Sequence, residues 1–456
     1  MILVSNERSA IFTRSDEGYF MTAVNTETIT VPILTRVEGE GGVTIRTRQG
    51  AIEEVQLNIF EPPRLFEALL RGRPLEDVPD ITARICGICP VAYQMSSVHA
   101  LESALGFHVT PEIRRLRRLL YCGEWIESHG LHVHLLHAPD FFGVASGIEL
   151  ARQFPKEVQR GLQLKKFGNR LLEALGGRAI HPVNVTVGGF HRLPRREELT
   201  RLIPDFEWGL QAAIDATRWV AGFTFPDFQQ QYDFVALSHP DEYAMNEGDI
   251  ASSTGMMISV DQYDDYFKEH HVAHSTALHS VRRDTNLPYF LGPLARVNLN
   301  RDQLSPSAKR LADELKFPAD CHNPFQSIVA RGLELVHAYE ESLSILKDYQ
   351  PAGPARVEYR PTKGEGSAAT EAPRGLLFHH YAIDSDGKIV SARIIPPTSQ
   401  NQGQIERDVT DYLTVRLQTA PARDQLATDA ERLVRTYDPC ISCSTHFLKV
   451  RWEELS

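Results

Sequence analysis

The sequence predicts a mainly α fold with small β elements, and three observations predict it. Apolar residues recur at helical spacing over several long stretches, most clearly Val91, Met95, Val98, Leu101 and Leu105. Helix punctuation agrees: Thr110-Pro111-Glu112 supplies a capping hydroxyl, a proline at the first position and an acid in the first turn, while Gly106 and Gly176-Gly177 stand where helices should stop. Strand-like patterns are confined to a region before residue 60 and to a hairpin after residue 375.

Residues 1–28 are polar and aperiodic, which predicts a loosely ordered N-terminal arm or a partner-contacting segment. From Thr28 to Phe60 the segments TITVPI, GGVTIRTRQG and AIEEVQLNIF read as strands, with a turn centred on Gly50. A short helix over about 63–70 follows, then the helix ending at Gly106, then a long helix from Thr110 to about His137. Further helices are expected at 154–175, 195–222, 305–315 and 325–348, whereas 223–304 shows no clear period. The Pro/Gly/Ser-rich stretch 351–370 reads as a linker. Next comes a β-hairpin, LLFHHYAID and KIVSARII about a turn at Asp384 to Gly387, and helices over about 404–418 and 424–436 close the pattern. There is no internal repeat or low-complexity segment.

Composition excludes several functions. The chain has 456 residues, a length whose prior is about three domains. Its net charge of −11 argues against a nucleic-acid binder, whose affinity comes from basic surface against phosphate. No apolar run approaches the roughly 18 residues of a membrane span, and the first residues carry no apolar signal core. The expected location is cytoplasmic, unless the chain is exported on a partner that carries the signal.

Six cysteines are too few for a secreted disulfide framework. Four form two C-x-x-C pairs, Cys86/Cys89 and Cys440/Cys443, and Cys122 and Cys321 are isolated. The spacing lets both sulfurs of a pair reach one ion, and soft thiolates favour nickel, iron or zinc. Zinc ribbons separate their pairs by about 15–20 residues; here Cys89 and Cys440 are 351 positions apart. Ile85 and Ile88 interleave with the first pair and Pro90 opens a helix directly after it, so a buried site is expected. A redox or catalytic metal and a structural zinc both remain open from these residues, with a dithiol redox pair less favoured because nothing resembles a thioredoxin context.

The stretch RICGICPVAYQMSSVHALE at 84–102 and DPCISCSTH at 438–446 resemble the two signatures of the large, catalytic subunit of [NiFe]-hydrogenases. Intermediate motifs agree in order: TRVEG at 35–39, GGRAIHPVNVTVGGF at 176–190, TEAPRG at 370–375 and PPTSQN at 396–401. The wording is most similar to the cytoplasmic, bidirectional, NAD(P)-linked or sulfhydrogenase-like branch. The resemblance implies a large helical bundle with an N-terminal β region and a late hairpin, in one domain over 29–446 whose ends meet at one buried metal site. On that reading 351–370 is a surface excursion within the domain.

The resemblance further implies nickel held by Cys86, Cys89, Cys440 and Cys443, with Cys86 and Cys440 terminal. Cys89 and Cys443 would bridge to an iron carrying carbon monoxide and two cyanide ligands. H2 would be cleaved reversibly and heterolytically, with Cys440 as the proton-accepting thiolate and Glu38 as the next proton carrier. Arg374 would stand above the open site, with Asp438 beside it balancing its charge. Ala372, Pro373 and Thr398 fall where the family surrounds the cyanides. Glu67, the backbone carbonyl near Ile394 and His446 would hold a separate magnesium-type (or iron) ion. Electrons imply an iron–sulfur small subunit, and the branch implies flavin-containing diaphorase partners reducing NAD(P)+. A maturation endopeptidase is implied too, cutting after His446 and removing residues 447–456.

Two departures stand out: Tyr93 where the family often has histidine, and Ser128 beside His129 where it often has an acid. His129, His132, His134 and His137 are expected to pack and hydrogen-bond rather than bind a second metal. Cys122 and Cys321 should simply be buried. The run Arg114, Arg115, Arg117, Arg118 should be a solvated helix face or a contact for an acidic partner. The glycines of VGGF lack phosphate-loop spacing, so this chain should bind no nucleotide itself. Rival readings are a hydrogen sensor or scaffold subunit with little turnover, a complex-I-like quinone-site subunit, which would lack the four thiolates, and a structural zinc protein.

Overall fold

Strands β1 (Leu3–Ser15), β2 (Gly18–Val31), β3 (Gly41–Arg48) and β4 (Ala51–Ile59) pair antiparallel in sequence order. The computed structural model describes residues 2–15, 18–62, 65–419 and 421–445. Within them the expected loose arm is instead a long hairpin, in register from Leu3↔Thr30 to Ser15↔Gly18. The segment escapes detection because polar residues fall at both parities of the strand, so no alternation marks it, while ladder hydrogen bonding needs no alternation. Its base is pinned to the body by the pairing of Thr26–Val31 with β3 and by the ion pair of Glu27 with Arg423. The turn at Gly50 is as expected: Gln49 and Gly50 both take positive φ, 51° and 83°, which suits a two-residue hairpin loop.

The body is a helical bundle. Helices α1 (Pro90–Leu105), α2 (Pro111–Leu131), α3 (Pro155–Gly176), α4 (Ile203–Ala221) and α5 (Ser327–Asp348) form it, with α2 against α3 and α5, and α5 against α4. Thr110 caps α2 as expected, its Oγ1 accepting the Ile113 N–H at 3.3 Å. The long helix changes pitch before its predicted end: His132–His137 is a π-helical segment, followed by Ala138–Phe141. The expected helix 195–222 is broken into Arg196–Thr200 and α4, because Pro204 lacks the N–H an uninterrupted helix needs there.

Residues 223–304 hold short strands, among them Val235–Ser238 and Asp249–Ser252, and the antiparallel ribbon β5 (Phe267–His270) with β6 (His279–Arg282). The predicted late hairpin is present as β8 (Gly375–Ile383) and β9 (Ile389–Ile395), but a third strand, β7 (Gly364–Ala372), precedes it. The second half of the linker-like stretch is therefore a core strand. Its small residues serve contact with α1: a Cβ on Gly364 would lie 2.1 Å from the Ala104 carbonyl oxygen, and one on Gly366 2.3 Å from the Ala104 nitrogen. Helices α6 (Pro397–Leu417) and α7 (Arg423–Thr436) complete the chain, α6 starting inside the PPTSQN motif and earlier than periodicity suggests.

The main apolar core is continuous from Ile29 in β2 to Cys443 near the end of the described chain. Cys122 and Cys321 are buried in it, as expected. The arginine run is not a solvated face. Arg117 is buried against Glu102, with bonds of 2.6 and 2.8 Å, and Arg118 is buried between Glu341 and Glu242. Arg114 pairs with Glu242 and Glu247, and Arg115 alone faces solvent, beside Asp348. Their acidic partners come from distant segments, which no local charge pattern reveals. Among the described residues no helix is long and apolar enough to cross a membrane.

Candidate metal centre

Two chain ends build the site. Cys89 stands immediately before Pro90, the first residue of α1, and Cys86 lies one turn back. Cys440 and Cys443 follow α7 in a last helical turn, Ile441–Ser444. The loop after β2 binds them together: Glu38 and Cys440 form a parallel bridge, with the Ile441 N–H donating to the Glu38 carbonyl at 2.8 Å. The four sulfurs are buried and lie within 4.8 Å of one another. Cys86 and Cys89 sulfurs are 2.8 Å apart, Cys86 and Cys440 3.6 Å, and those of Cys440 and Cys443 touch. Four converging sulfurs with no hard oxygen ligand among them suit a soft or borderline transition metal, so the residues fit the thiolate-held metal the motifs imply.

Arg374 supplies the positive charge. Its Nε donates to the Asp438 carbonyl at 2.6 Å and its Nη2 to Asp438 Oδ1 at 3.1 Å. Burial alone would lower its pKa, but the fields of Asp438, Cys89, Cys86 and Glu38 more than offset this and raise it. Burial likewise works against ionisation of Cys86; the hydrogen bond from Cys89 and the Arg374 charge prevail and pull it toward thiolate. Asp438 is held at φ 54°, a left-handed conformation in a non-glycine residue, between the end of α7 and Cys440. Arg331 adds a second cation nearby, bonded to the Thr436 carbonyl at 2.9 Å.

The other predicted residues ring the same point. Glu38 Oε2 lies 3.0 Å from Cys440 Sγ and accepts the Ser442 N–H at 3.1 Å. Thr398, in the first turn of α6, accepts the Cys440 N–H at Oγ1 at 2.9 Å, so its own hydroxyl proton is free to donate elsewhere. Ala372 and Pro373 form the buried turn that leads from β7 to Arg374. Both of their carbonyls accept from Arg296, at 2.9 and 3.0 Å, and Arg296 is neutralised by Glu334 and Glu371.

Glu67 and Ile394 also meet, though through the amide: Glu67 Oε1 accepts the Ile394 N–H at 2.7 Å. Burial raises the Glu67 pKa to about 7, against the hydrogen bond from Ile394 and with help from Glu269. His446 and the extension 447–456 lie outside the described residues. Of the two departures, Ser128 is buried with its hydroxyl unpaired, while the neighbouring Glu127 pairs with Lys165 at 2.9 Å; Tyr93 packs against His379. Three of the four clustered histidines are hydrogen-bonded as expected, His129 to Glu334, His132 to the Arg435 carbonyl and His134 to the Gly130 carbonyl.

Two contributors escape sequence reasoning. Glu61 Oε1 lies 3.1 Å from Ser442 Oγ and accepts the Glu40 N–H at 2.6 Å, which extends the Glu38 contact outward. Glu124, buried on α2, accepts the Val91 and Ala92 N–H groups at 2.6 and 3.1 Å and so caps the helix that carries Cys89. Both are ordinary acids in sequence, since Glu124 is 33 positions from Val91 and Glu61 is 381 from Ser442.

A family model described as nickel-dependent hydrogenase matches residues 64–162 and 286–446. The chain is 35% identical to the alpha chain of sulfhydrogenase 1 from Pyrococcus furiosus, covering 92% of this chain and 98% of that one. The alpha chain of sulfhydrogenase 2 from the same organism is also 35% identical, over 91% and 98% of the two chains. The fold is similar to that of an NAD+-reducing [NiFe]-hydrogenase solved in the H2-reduced state, with a TM-score of 0.83, 27% identity, and 92% and 99% of the chains covered.

Proposed function

The chain belongs to the nickel-dependent hydrogenase family as a large, catalytic subunit, and from that premise we propose how its residues serve the reversible cleavage of H2. Cys86, Cys89, Cys440 and Cys443 would hold the Ni–Fe centre, with Cys89 and Cys443 also serving the iron. Bound there, the metal pair with its carbon monoxide and two cyanides supplies the redox and Lewis-acid chemistry of heterolytic cleavage. The observation that carries the reading is the convergence of four buried sulfurs on one point with a carboxylate oxygen 3.0 Å from Cys440.

The protein's share is to place charges and move a proton. Cys440 Sγ takes the proton and Glu38 Oε2 receives it, held in place by the Ser442 N–H. Glu61, bonded to Ser442 Oγ, is the next acid outward. Arg374, fixed by two bonds to Asp438, keeps a permanent cation over the thiolates, where it favours separated charge in a low-dielectric site. The free proton of Thr398 Oγ1 points the choice of cyanide donor to that residue, with Ala372 and Pro373 as the adjoining wall. Glu67, the Ile394 carbonyl and His446 serve a magnesium-type ion, the high pKa of Glu67 falling when a cation takes its charge.

Electrons require an iron–sulfur small subunit, because one buried metal pair has no other outlet. Similarity to an NAD+-reducing hydrogenase supports NAD(P)+ as acceptor through flavin-containing diaphorase partners, in the cytoplasm. The sulfhydrogenase relatives make elemental sulfur the second acceptor to assay. Infrared spectroscopy of the complex matured with its partners is the test. Carbon monoxide and cyanide stretches together with nickel are expected; their absence in a protein containing zinc alone would overturn the assignment.

A further inference from the structure

About two turns along α6 from Thr398, three side chains from separate elements meet. His279 opens β6 and stands opposite His270 across the ribbon. His274 lies in the loop between the two strands, and Glu406 is on α6, eight residues or about 12 Å beyond Thr398. His274 Nε2 is 2.7 Å from Glu406 Oε1, and His279 Nε2 is 4.0 Å from the same oxygen. The three ligand atoms lie within 4.8 Å of one another, the only such group besides the four cysteines among the described residues.

His279 is the informative member. It is 4% exposed, its Nε2 has no hydrogen-bond partner, and that atom faces the Glu406 carboxylate. In the tautomer that carries its proton on Nδ1, this nitrogen presents a lone pair to a cation placed between it and the carboxylate. A buried, unsatisfied nitrogen is costly unless something takes it. Glu406 is oriented as a supported ligand should be, with Oε1 accepting the Leu57 N–H at 2.7 Å from β4.

We propose that His274, His279 and Glu406 form a second metal site, for a borderline divalent cation of the zinc type. Two imidazoles and one carboxylate are the donor set that zinc favours, leaving a fourth position for water or for His270, whose ring centroid is 5.8 Å from that of His279. Ligand atoms at about 2.0–2.2 Å from one zinc sit roughly 3.3 Å apart, so the 2.7 Å separation of His274 and Glu406 would open by roughly 0.6 Å and the 4.0 Å separation of His279 and Glu406 would close by roughly 0.7 Å. The His274 and Glu406 side chains are partly exposed, at 18% and 17%. The ion would staple the β5–β6 ribbon and β4 to α6, the helix whose first turn holds Cys440 through Thr398. Its role is to fix that helix and not to take part in H2 chemistry.

Zinc content decides the matter independently of hydrogenase activity. The purified complex, washed with chelator and dialysed against buffered micromolar Zn2+, should regain one zinc per catalytic chain by elemental analysis. His279→Gln and Glu406→Gln should each weaken that uptake on the order of a hundredfold, with nickel and iron unchanged. Zinc-edge absorption should show nitrogen and oxygen neighbours; sulfur neighbours would put the zinc at the cysteines and overturn the proposal. Equal zinc uptake by wild type and both variants, or no uptake by the wild type, would overturn it too. His274→Gln guards against a folding defect at the buried position, since it removes a ligand from a partly exposed loop.

Discussion

In the proposed mechanism Glu38 is the proton acceptor beside Cys440 and Arg374 is a fixed charge near Cys86 and Cys89. Glu38→Gln keeps the shape and can still accept the Ser442 N–H, but it cannot take a proton from Cys440 Sγ 3.0 Å away. We expect carbon monoxide and cyanide bands to persist while H2/D2O exchange falls by about 10²–10⁴; full exchange would remove Glu38 from the proton path. Arg374→Lys keeps the charge and loses the fork that grips both the carbonyl and Oδ1 of Asp438. One charged hydrogen bond is about 1.5–3 kcal/mol, so turnover should fall roughly 10–100-fold with the infrared bands retained. Undiminished turnover would show that charge alone suffices. Neither residue announces itself by composition. Glu38 reads as an ordinary strand-edge acid until TRVEG is taken with the other motifs, and Glu61 carries no signal because its partner, Ser442, is 381 positions away.

Among the secondary-structure elements, β7 and the π-helical segment are where sequence and structure part. Small residues usually mark a linker, and over 364–372 they mark a strand that must lie against α1 without side chains between them. Gly366→Ala therefore forces a Cβ into the Ala104 backbone, and the overpacking should cost about 1–3 kcal/mol. A lowered melting temperature with reduced nickel content is expected, because α1 carries Cys89 at its start; an unchanged melt would deny the close approach. In the π-helical segment, burial holds His134 neutral with a pKa of about 4, although its bond to Gly130 works the other way. The unfolded chain takes up this proton near pH 6.5 and the folded chain near 4, so stability is lost as pH falls through that window, by at most about 3 kcal/mol. Denaturant melts from pH 7.5 to 4 should show a shallower loss in His134→Gln than in wild type. Parallel curves would count against it.

Across the whole molecule, the site joins segments that begin before residue 40 and end after residue 440, over a core continuous between them. Cys443 closes the site a few residues before the chain's last segment, and we expect intact mass spectrometry of active enzyme to show a chain ending at His446, without FLKVRWEELS. A mass retaining Ser456 would refute cleavage. The donor chemistry, four thiolates in two C-x-x-C pairs, and most of the helices were legible before any fold was known, because spacing and caps are local properties. The motifs likewise located the cysteines' neighbours. The resemblance already set Asp438 beside Arg374, but other meetings of charge became visible only in three dimensions: Arg117 with Glu102, Arg296 between two glutamates, and His279 facing Glu406. Buried charges are tolerated only where a partner is brought to them, and the partners come from segments far apart in the chain.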